Sequence, residues 1–174
     1  TFNCGNYTYK IAGNLMNNTG WALGGNSTFV FDGTSSQTLL NGINFDNVIV
    51  KNPTKVSYSA DTLAQIKNLS IDAGCSFDSS ALGYMEIFGN FTSSGVYVNG
   101  GSTTTFGQSG NGTIWAVANS TFNNVTINKT ALSDTVSALT NLNIGGWLKV
   151  EKGTLDMQKS TSTIQGATTI DGSS

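Results

Sequence analysis

Short strands of the form apolar–x–apolar recur along almost the whole chain, and none of them can bury its own side chains. The pairs are Tyr9/Ile11, Phe29/Phe31, Val48/Val50, Leu69/Ile71, Met85/Ile87, Thr104/Phe106, Val125/Ile127, Leu142/Ile144 and, more weakly, Ser162/Ile164. In an extended chain successive side chains point to opposite faces, so each pair projects from one side of its strand. A stripe this narrow becomes a core only when rungs stack about 4.8 Å apart and turn it into a column. The spacing wanders around about 19 residues, near the short end of the periods that mark solenoids. The expected fold is all-β, a parallel β-helix or β-solenoid with rungs of about 19 residues.

A longer self-similarity lies over the short one. Ile11-Ala12-Gly13-Asn14-Leu15 matches Ile87-Phe88-Gly89-Asn90-Phe91, and Phe45-Asp46-Asn47-Val48-Ile49-Val50 matches Phe122-Asn123-Asn124-Val125-Thr126-Ile127. Asn68-Leu69-Ser70-Ile71 matches Asn141-Leu142-Asn143-Ile144 in the same order. The offset is about 75 residues, or four short units. It divides the chain into an N-terminal segment (1–8), a first long β-repeat (9–84), a second (85–161) and the start of a third or an assembly-contacting end (162–174).

Asn47, Asn68, Asn124 and Asn141 each directly precede the first apolar residue of a strand. Asparagine tolerates left-handed backbone and stacks its amide along an axis, so an asparagine ladder is expected at one corner. Helical signals are confined to Ser59–Ile66 and Thr130–Leu139, each one or two turns at most, as excursions between rungs. An antiparallel sandwich is the competing fold, but it offers no reason for a shared internal register.

Composition narrows the function classes. Charged residues are only 10% of the chain, the net charge is −2, and there is neither His nor Arg. The scattered lysines form no basic stripe, which excludes nucleic acid as a partner. No apolar run approaches the roughly 18 residues of a membrane helix. With 38% hydrophobic residues the chain still has material for a core. A surface so poor in charge does little to resist self-association, which suits a protein that assembles or carries sugar.

Phe122-Asn123-Asn124-Val125-Thr126-Ile127-Asn128 and Leu148-Lys149-Val150-Glu151-Lys152-Gly153-Thr154-Leu155-Asp156 resemble the large beta-strand-repeat secreted surface proteins of bacteria and archaea. Their repeats carry a phenylalanine followed by asparagines and an alternating strand, then a Gly-Thr-Leu-Asp turn. The likeness extends over nearly the whole chain and implies an adhesin, filament or surface-layer component without catalytic residues. The first long repeat departs from it, with Gly74-Cys75-Ser76-Phe77-Asp78 at the turn.

Cys4 and Cys75 are the only cysteines. On rungs of about 19 residues they lie three or four rungs apart, on the order of 15–19 Å, whereas a disulfide needs Cα atoms within about 7 Å. A folded-back internal bridge, a bridge between subunits and two buried thiols all stay open. A rung as wide as the whole long repeat would instead make the two near neighbours. Nine Asn-x-Ser/Thr sequons occur, at Asn6, Asn17, Asn26, Asn68, Asn90, Asn111, Asn119, Asn124 and Asn128; roughly five would arise by chance in so Asn-, Ser- and Thr-rich a chain. Asn6, Asn26, Asn111 and Asn119 fall in turn-like stretches and are the best N-glycosylation candidates, while Asn68 and Asn124 belong to the expected ladder.

Chemistry has little to work with. Without His the usual general base is missing, and without Arg the bidentate clamp for acidic substrates. Asp72, Asp78 and Glu86 are the densest acids, and solvated turn positions explain them better than paired catalysis. No cofactor, metal site or catalytic residue is expected. Trp21, Trp115 and Trp147 are read chiefly as core-filling, with stacking on sugars or a second subunit as the other use. The chain is expected to be a structural subunit or segment of an extracellular, cell-surface filament, sheath or layer that self-assembles with other copies through strand edges. The alternatives are an adhesive or glycan-binding stalk of a larger surface protein and, third, a glycan-active β-helix enzyme or viral fibre.

Overall fold

The computed structural model describes residues 2–16, 22–23, 25–40, 44–59, 63–158 and 160–171. All its regular structure is β, and every strand pairing is parallel. The strands visit three sheets in a fixed cyclic order, which we number I, II and III. Sheet I takes β1 (Phe2–Asn3), β4 (Ala22–Leu23), the first halves of β7 (Asn44–Val50) and β9 (Leu63–Ile71), β11 (Tyr84–Ile87), β14 (Thr103–Gln108), β17 (Asn124–Lys129), β20 (Leu148–Lys152) and β23 (Thr168–Ile170). Sheet II takes β2 (Thr8–Ile11), β5 (Thr28–Phe31), the second halves of β7 and β9, β12 (Phe91–Ser93), β15 (Gly112–Ala116), β18 (Thr135–Ala138) and β21 (Thr154–Asp156). Sheet III takes β3 (Leu15–Met16), β6 (Gln37–Leu40), β8 (Val56–Tyr58), β10 (Ser76–Asp78), β13 (Val96–Val98), β16 (Thr121–Phe122), β19 (Asn143–Ile144) and β22 (Thr163–Ile164). The result is a three-sided β-solenoid. The eight strands of sheet III are separated by seven steps, so the chain makes about seven turns.

The corner between sheets I and II shows how the sequence turns. Along β9 the burial alternates through Leu63–Ile66, then Lys67 and Asn68 both face outward, and alternation resumes at Leu69. Asp46 and Asn47 do the same in β7. Two successive outward residues reverse the phase of a period-two pattern, so both arms of the strand keep their apolar residues inward. These two strands run unbroken around the corner and join sheets I and II into one hydrogen-bonded unit.

A rung is about 21 residues, the separation of the register partners Asn47 and Asn68. Leu63 and Tyr84 on sheet I are paired at the same separation. Steps range from 19 (Thr28 to Asn47) to 24 (Gly112 to Val136). The shorter period of the apolar pairs has a geometric cause. Leu69/Ile71 lie on sheet II, Met85/Ile87 on sheet I and Ile144 on sheet III. The series of pairs therefore slips back one face twice, shortening the apparent spacing. For the same reason segments related by the long repeat occupy different faces, Asn68–Ile71 on sheet II and Asn143–Ile144 on sheet III. The two stretches with helical signals contribute strand, with Leu63–Ile66 in β9 and Thr135–Ala138 as β18. Residues 60–62, within the first of them, lie outside the described residues.

The interior is a column of rings and branched side chains. Tyr9 stacks on Phe29 with centroids 5.1 Å apart, and Phe29 meets Phe45 edge-on at 5.1 Å. Higher up, Tyr58, Phe77, Tyr97, Phe91, Phe122 and Phe106 pass contact from rung to rung at 5.1–6.3 Å. Each buried ring removes about 150–250 Å² from water, so these residues dominate the stabilisation.

At the corner between sheets II and III a Cβ on buried Gly95 would overlap the carbonyl oxygens of Asp72 and Cys75 in the rung below, whereas one on Gly101 meets nothing within 4 Å. Gly95→Ala is expected to destabilise the protein by about 1–3 kcal/mol, as overpacking does. Gly101→Ala should stay within about 0.5 kcal/mol of the parent. Urea denaturation of the two variants decides this; equal stabilities would show that the corner opens freely.

Candidate functional surfaces

The three corners are held by side chains as well as by backbone. At the corner between sheets I and II, Asn47 Nδ2 donates to Ser27 O (3.0 Å), Asn68 Nδ2 to Asn47 Oδ1 (2.9 Å) and Asn90 N to Asn68 Oδ1 (2.9 Å). Asn90 Oδ1 then accepts from both N and Oγ1 of Thr113. Asn124 and Asn141 stand at the two other corners, where Asn124 Oδ1 accepts from Trp147 N (3.2 Å) and Asn141 Oδ1 from Thr161 N (2.8 Å). The structure thus brings Asn47 and Asn68 together and separates them from the other two. Asn14 and Asn90, which the expected ladder left out, act alike; the Asn–apolar pairs Asn14-Leu15 and Asn90-Phe91 are the signal for them.

Both cysteines are free and buried. Cys4 lies at the corner between sheets I and II, and Cys75 at the next corner three rungs on, on the order of 14 Å along the axis. The narrow rung rules out the neighbouring placement that a rung as wide as the long repeat would give. Burial raises the pKa of each thiol, against Ser27 and with the help of Asp46 at Cys4, and with the help of Asp72 against Lys51 at Cys75.

The three densest acids are dispersed. Asp72 pairs with Lys51 at 3.8 Å and Asp78 with Lys55 at 3.4 Å, while Glu86 accepts from Gln65 Nε2 at 2.6 Å on sheet I. Burial pushes the Asp78 carboxyl up, but the Ser80 hydroxyl and amide and the Lys55 ammonium together hold it below the usual range. Among the described residues no three His, Cys, Asp or Glu side chains gather to hold a metal. Trp115 and Trp147 are half-buried rather than core-filling. Trp115 sits between inward Ile114 and Ala116, so the strand's alternation turns it outward. Trp21, Asn17 and Gly24 lie outside the described residues.

Two buried polar features escaped sequence reasoning. Lys129 is 1% exposed, and its Nζ donates to Gly107 O (2.6 Å) and Phe88 O (3.3 Å), tying three successive rungs. Burial pushes its pKa down against the pull of Asp134 and Glu86. The fully buried Tyr97 hydroxyl shares a network with Ser79 Oγ (3.0 Å), Thr104 Oγ1 (3.0 Å) and Asn99 Nδ2 (3.2 Å). Nothing in the sequence marks either one, because both sit at positions that strand periodicity reads as ordinary.

The outer side of sheet III carries the concave surface. A hollow of about 280 Å³ is lined by Val96, Val98, Asn119, Thr121, Asn123 and Gly145 among others. An adjoining one of about 210 Å³ shares Thr121 and Gly145 and adds Asn143, Thr163 and Gln165. A third, of about 500 Å³, lies between Ala116, Ala118, Thr140, Asn141 and Asn143. No charged side chain lines any of the three.

The end rungs show a different kind of surface. Ile170 is 73% exposed although its register partner Val150 is only 9% exposed. Ile164 and Leu155 are also partly uncovered, while their partners Ile144 and Val136 are buried. At the opposite end Ile11 and Leu15 are half-exposed against buried Phe31 and Leu39. These are core positions with one side open, flanked by strand edges that pair with no further described strand.

No known protein family, curated protein or solved structure matches this chain. Among the described residues no helix is long and apolar enough to cross a membrane.

Burial raises the Tyr97 pKa. A phenol held neutral in the fold contributes stability that is complete below its unfolded pKa of about 10 and is lost as pH rises from there through the raised folded value. Tyr97→Phe is expected to lower stability at pH 7 by about 1–2 kcal/mol and to lessen its decline above pH 10. Denaturation of both proteins across that range tests this; an unchanged alkaline slope would mean that Tyr97 ionises without unfolding.

Proposed function

We propose that the chain is a structural segment of an extracellular filament, sheath or surface layer that stacks end to end with other copies of itself. The observation that carries this reading is the pair of rungs at the two limits of the described residues. Ile170, Ile164 and Leu155 at one end and Ile11 and Leu15 at the other occupy core columns but are left partly in water. The groups that match such an edge are another parallel rung's backbone and inward apolar residues. Two different ends meeting head to tail form a heterologous contact, and this one repeats along an axis without closing. The low charge and the resemblance to beta-strand-repeat surface proteins agree with an extracellular, assembling role.

The second reading is a glycan-binding stalk. The favouring observation is the uncharged groove on sheet III, whose amide and hydroxyl groups suit a neutral sugar chain. Neither reading assigns the chain a reaction.

Negative-stain microscopy of the concentrated chain tests the first reading. Fibres or sheets with a lengthwise solenoid are expected, and monodisperse short rods would overturn it. Ile164→Asp combined with Ile170→Asp should cut fibre length at least tenfold while the circular dichroism stays β-rich. Binding of neutral polysaccharides by rods that never associate would favour the stalk.

A further inference from the structure

The sequons are not spread evenly around the prism. Asn6, Asn26, Asn68, Asn90 and Asn111 all lie at the corner between sheets I and II, between a sheet I strand or half-strand and the sheet II one that follows it. Asn119 lies at the corner between sheets II and III, Asn124 at that between III and I, and Asn128 within β17 on sheet I; Asn17 lies outside the described residues. The edge holding five sequons is the one that sheet III does not share.

Register sorts these five into two kinds. Thr8 pairs with Thr28, Thr28 with Asn47 and Asn47 with Asn68, so Thr8, Thr28 and Asn68 belong to one column. Asn68 is locked in that column by its own Nδ2, which donates to Asn47. Asn6 and Asn26 stand two residues before the column, exposed in turns, and Thr8 and Thr28 supply the sequon hydroxyls. Asn111 is likewise exposed and two residues before Thr113, whose backbone N–H donates to Asn90 at the column's end. No described group takes a hydrogen bond from Nδ2 of Asn6, Asn26 or Asn111. Asn26 has φ of 64° and uses only its backbone N–H, on Asp46; Asn111 uses only Oδ1, on Thr135 N.

We infer that this edge is a glycosylation edge, modified at Asn111 and at Asn6 or Asn26, with Asn68 left bare. In the reaction Nδ2 bonds to the anomeric carbon of an oligosaccharide carried on a lipid phosphate or pyrophosphate. The bond from that carbon to the phosphate oxygen breaks, the amide gives up one proton, and the lipid phosphate leaves; nothing is oxidised or reduced. A sugar on Asn111 leaves Oδ1 free to keep its bond to Thr135. A sugar on Asn68 would break the ladder. Asn6 and Asn26 are on adjacent rungs about 4.8 Å apart, so their glycans compete for one exit. Sugars here project from the edge opposite the groove on sheet III, those on Asn26 and Asn111 from rungs inside the stack and that on Asn6 from the first rung. They would hydrate a surface that charge does little to hydrate and confine contact between copies to the remaining surfaces.

The test is secretion of the 174-residue chain from a eukaryotic host that attaches N-glycans, followed by enzymatic glycan release, which converts each occupied asparagine to aspartate, and peptide mapping. Conversion at Asn111 and at one or both of Asn6 and Asn26, with Asn68 intact, is the expected result. A folded secreted chain unmodified at all three, or Asn68 converted as heavily as Asn111, overturns the assignment. Thr28→Ala should remove only the Asn26 glycan, and Ser70→Ala should leave the map unchanged. The outcome is independent of fibre formation, so either reading can fail alone.

Discussion

Parallel, in-register pairing along the axis is the constraint on which everything else depends. It places Phe29 over Tyr9, Val48 over Phe29 and Leu69 over Val48, so a stripe too narrow to bury itself becomes a continuous column. The same pairing fixes which residues face out. A shift of one residue would expose every inward ring, so the register is strongly specified even though no disulfide secures it. The two-residue phase slips at Asp46-Asn47 and Lys67-Asn68 let a strand change sheets without losing that register.

Irregular rung length is what this arrangement must absorb. Thr38 comes 24 residues after Asn14, Thr135 24 after Asn111, and Thr113 and Trp147 23 after Asn90 and Asn124; in each pair the backbone N–H of the later residue donates to the earlier asparagine's Oδ1. All four steps are longer than the one from Asn47 to Asn68. Thr161, 20 residues after Asn141, donates in the same way, so an asparagine Oδ1 at a corner meets the amide of the rung above on short and long steps alike. The abundance of asparagine therefore has a structural use beyond any sugar it carries. Lys129 does the reverse, supplying a side-chain donor to the carbonyls of Gly107 and Phe88.

The fold class was legible from the apolar pairs because inward-facing alternation survives in each short strand. The rung length was less so. The pairs are nearly identical on all three faces, so a reader following the most apolar strand steps from Ile71 on sheet II to Met85 on sheet I without notice. The asparagines before Val48 and Leu69 look like those before Val125 and Leu142, yet only the corner geometry separates one column from the other two positions. Half-buried Trp115 was misplaced because a large ring favours the interior in general, whereas its neighbours Ile114 and Ala116 decide its direction here. Tyr97 and Lys129 carry no pattern that strand periodicity would flag; apart from Asn99, the partners named for them come from other strands or rungs.

Ion pairs follow the same axis as the strand pairing. Lys51 pairs with Asp72, Lys55 with Asp78 and Lys149 with Asp171, and each pair joins adjacent rungs. These lysines, with Glu151 beside Lys149, form the ion pairs of the described residues, and exposed pairs of this kind add little stability or attraction of their own. In a nearest-neighbour array the end rungs gain from one interface where inner rungs gain from two. Ile170, open to water over a buried Val150, marks that deficit at one end, and Ile11 below Phe31 marks it at the other. A parallel rung laid on either position would restore the missing interface, and this is the physical basis of the proposed end-to-end stacking.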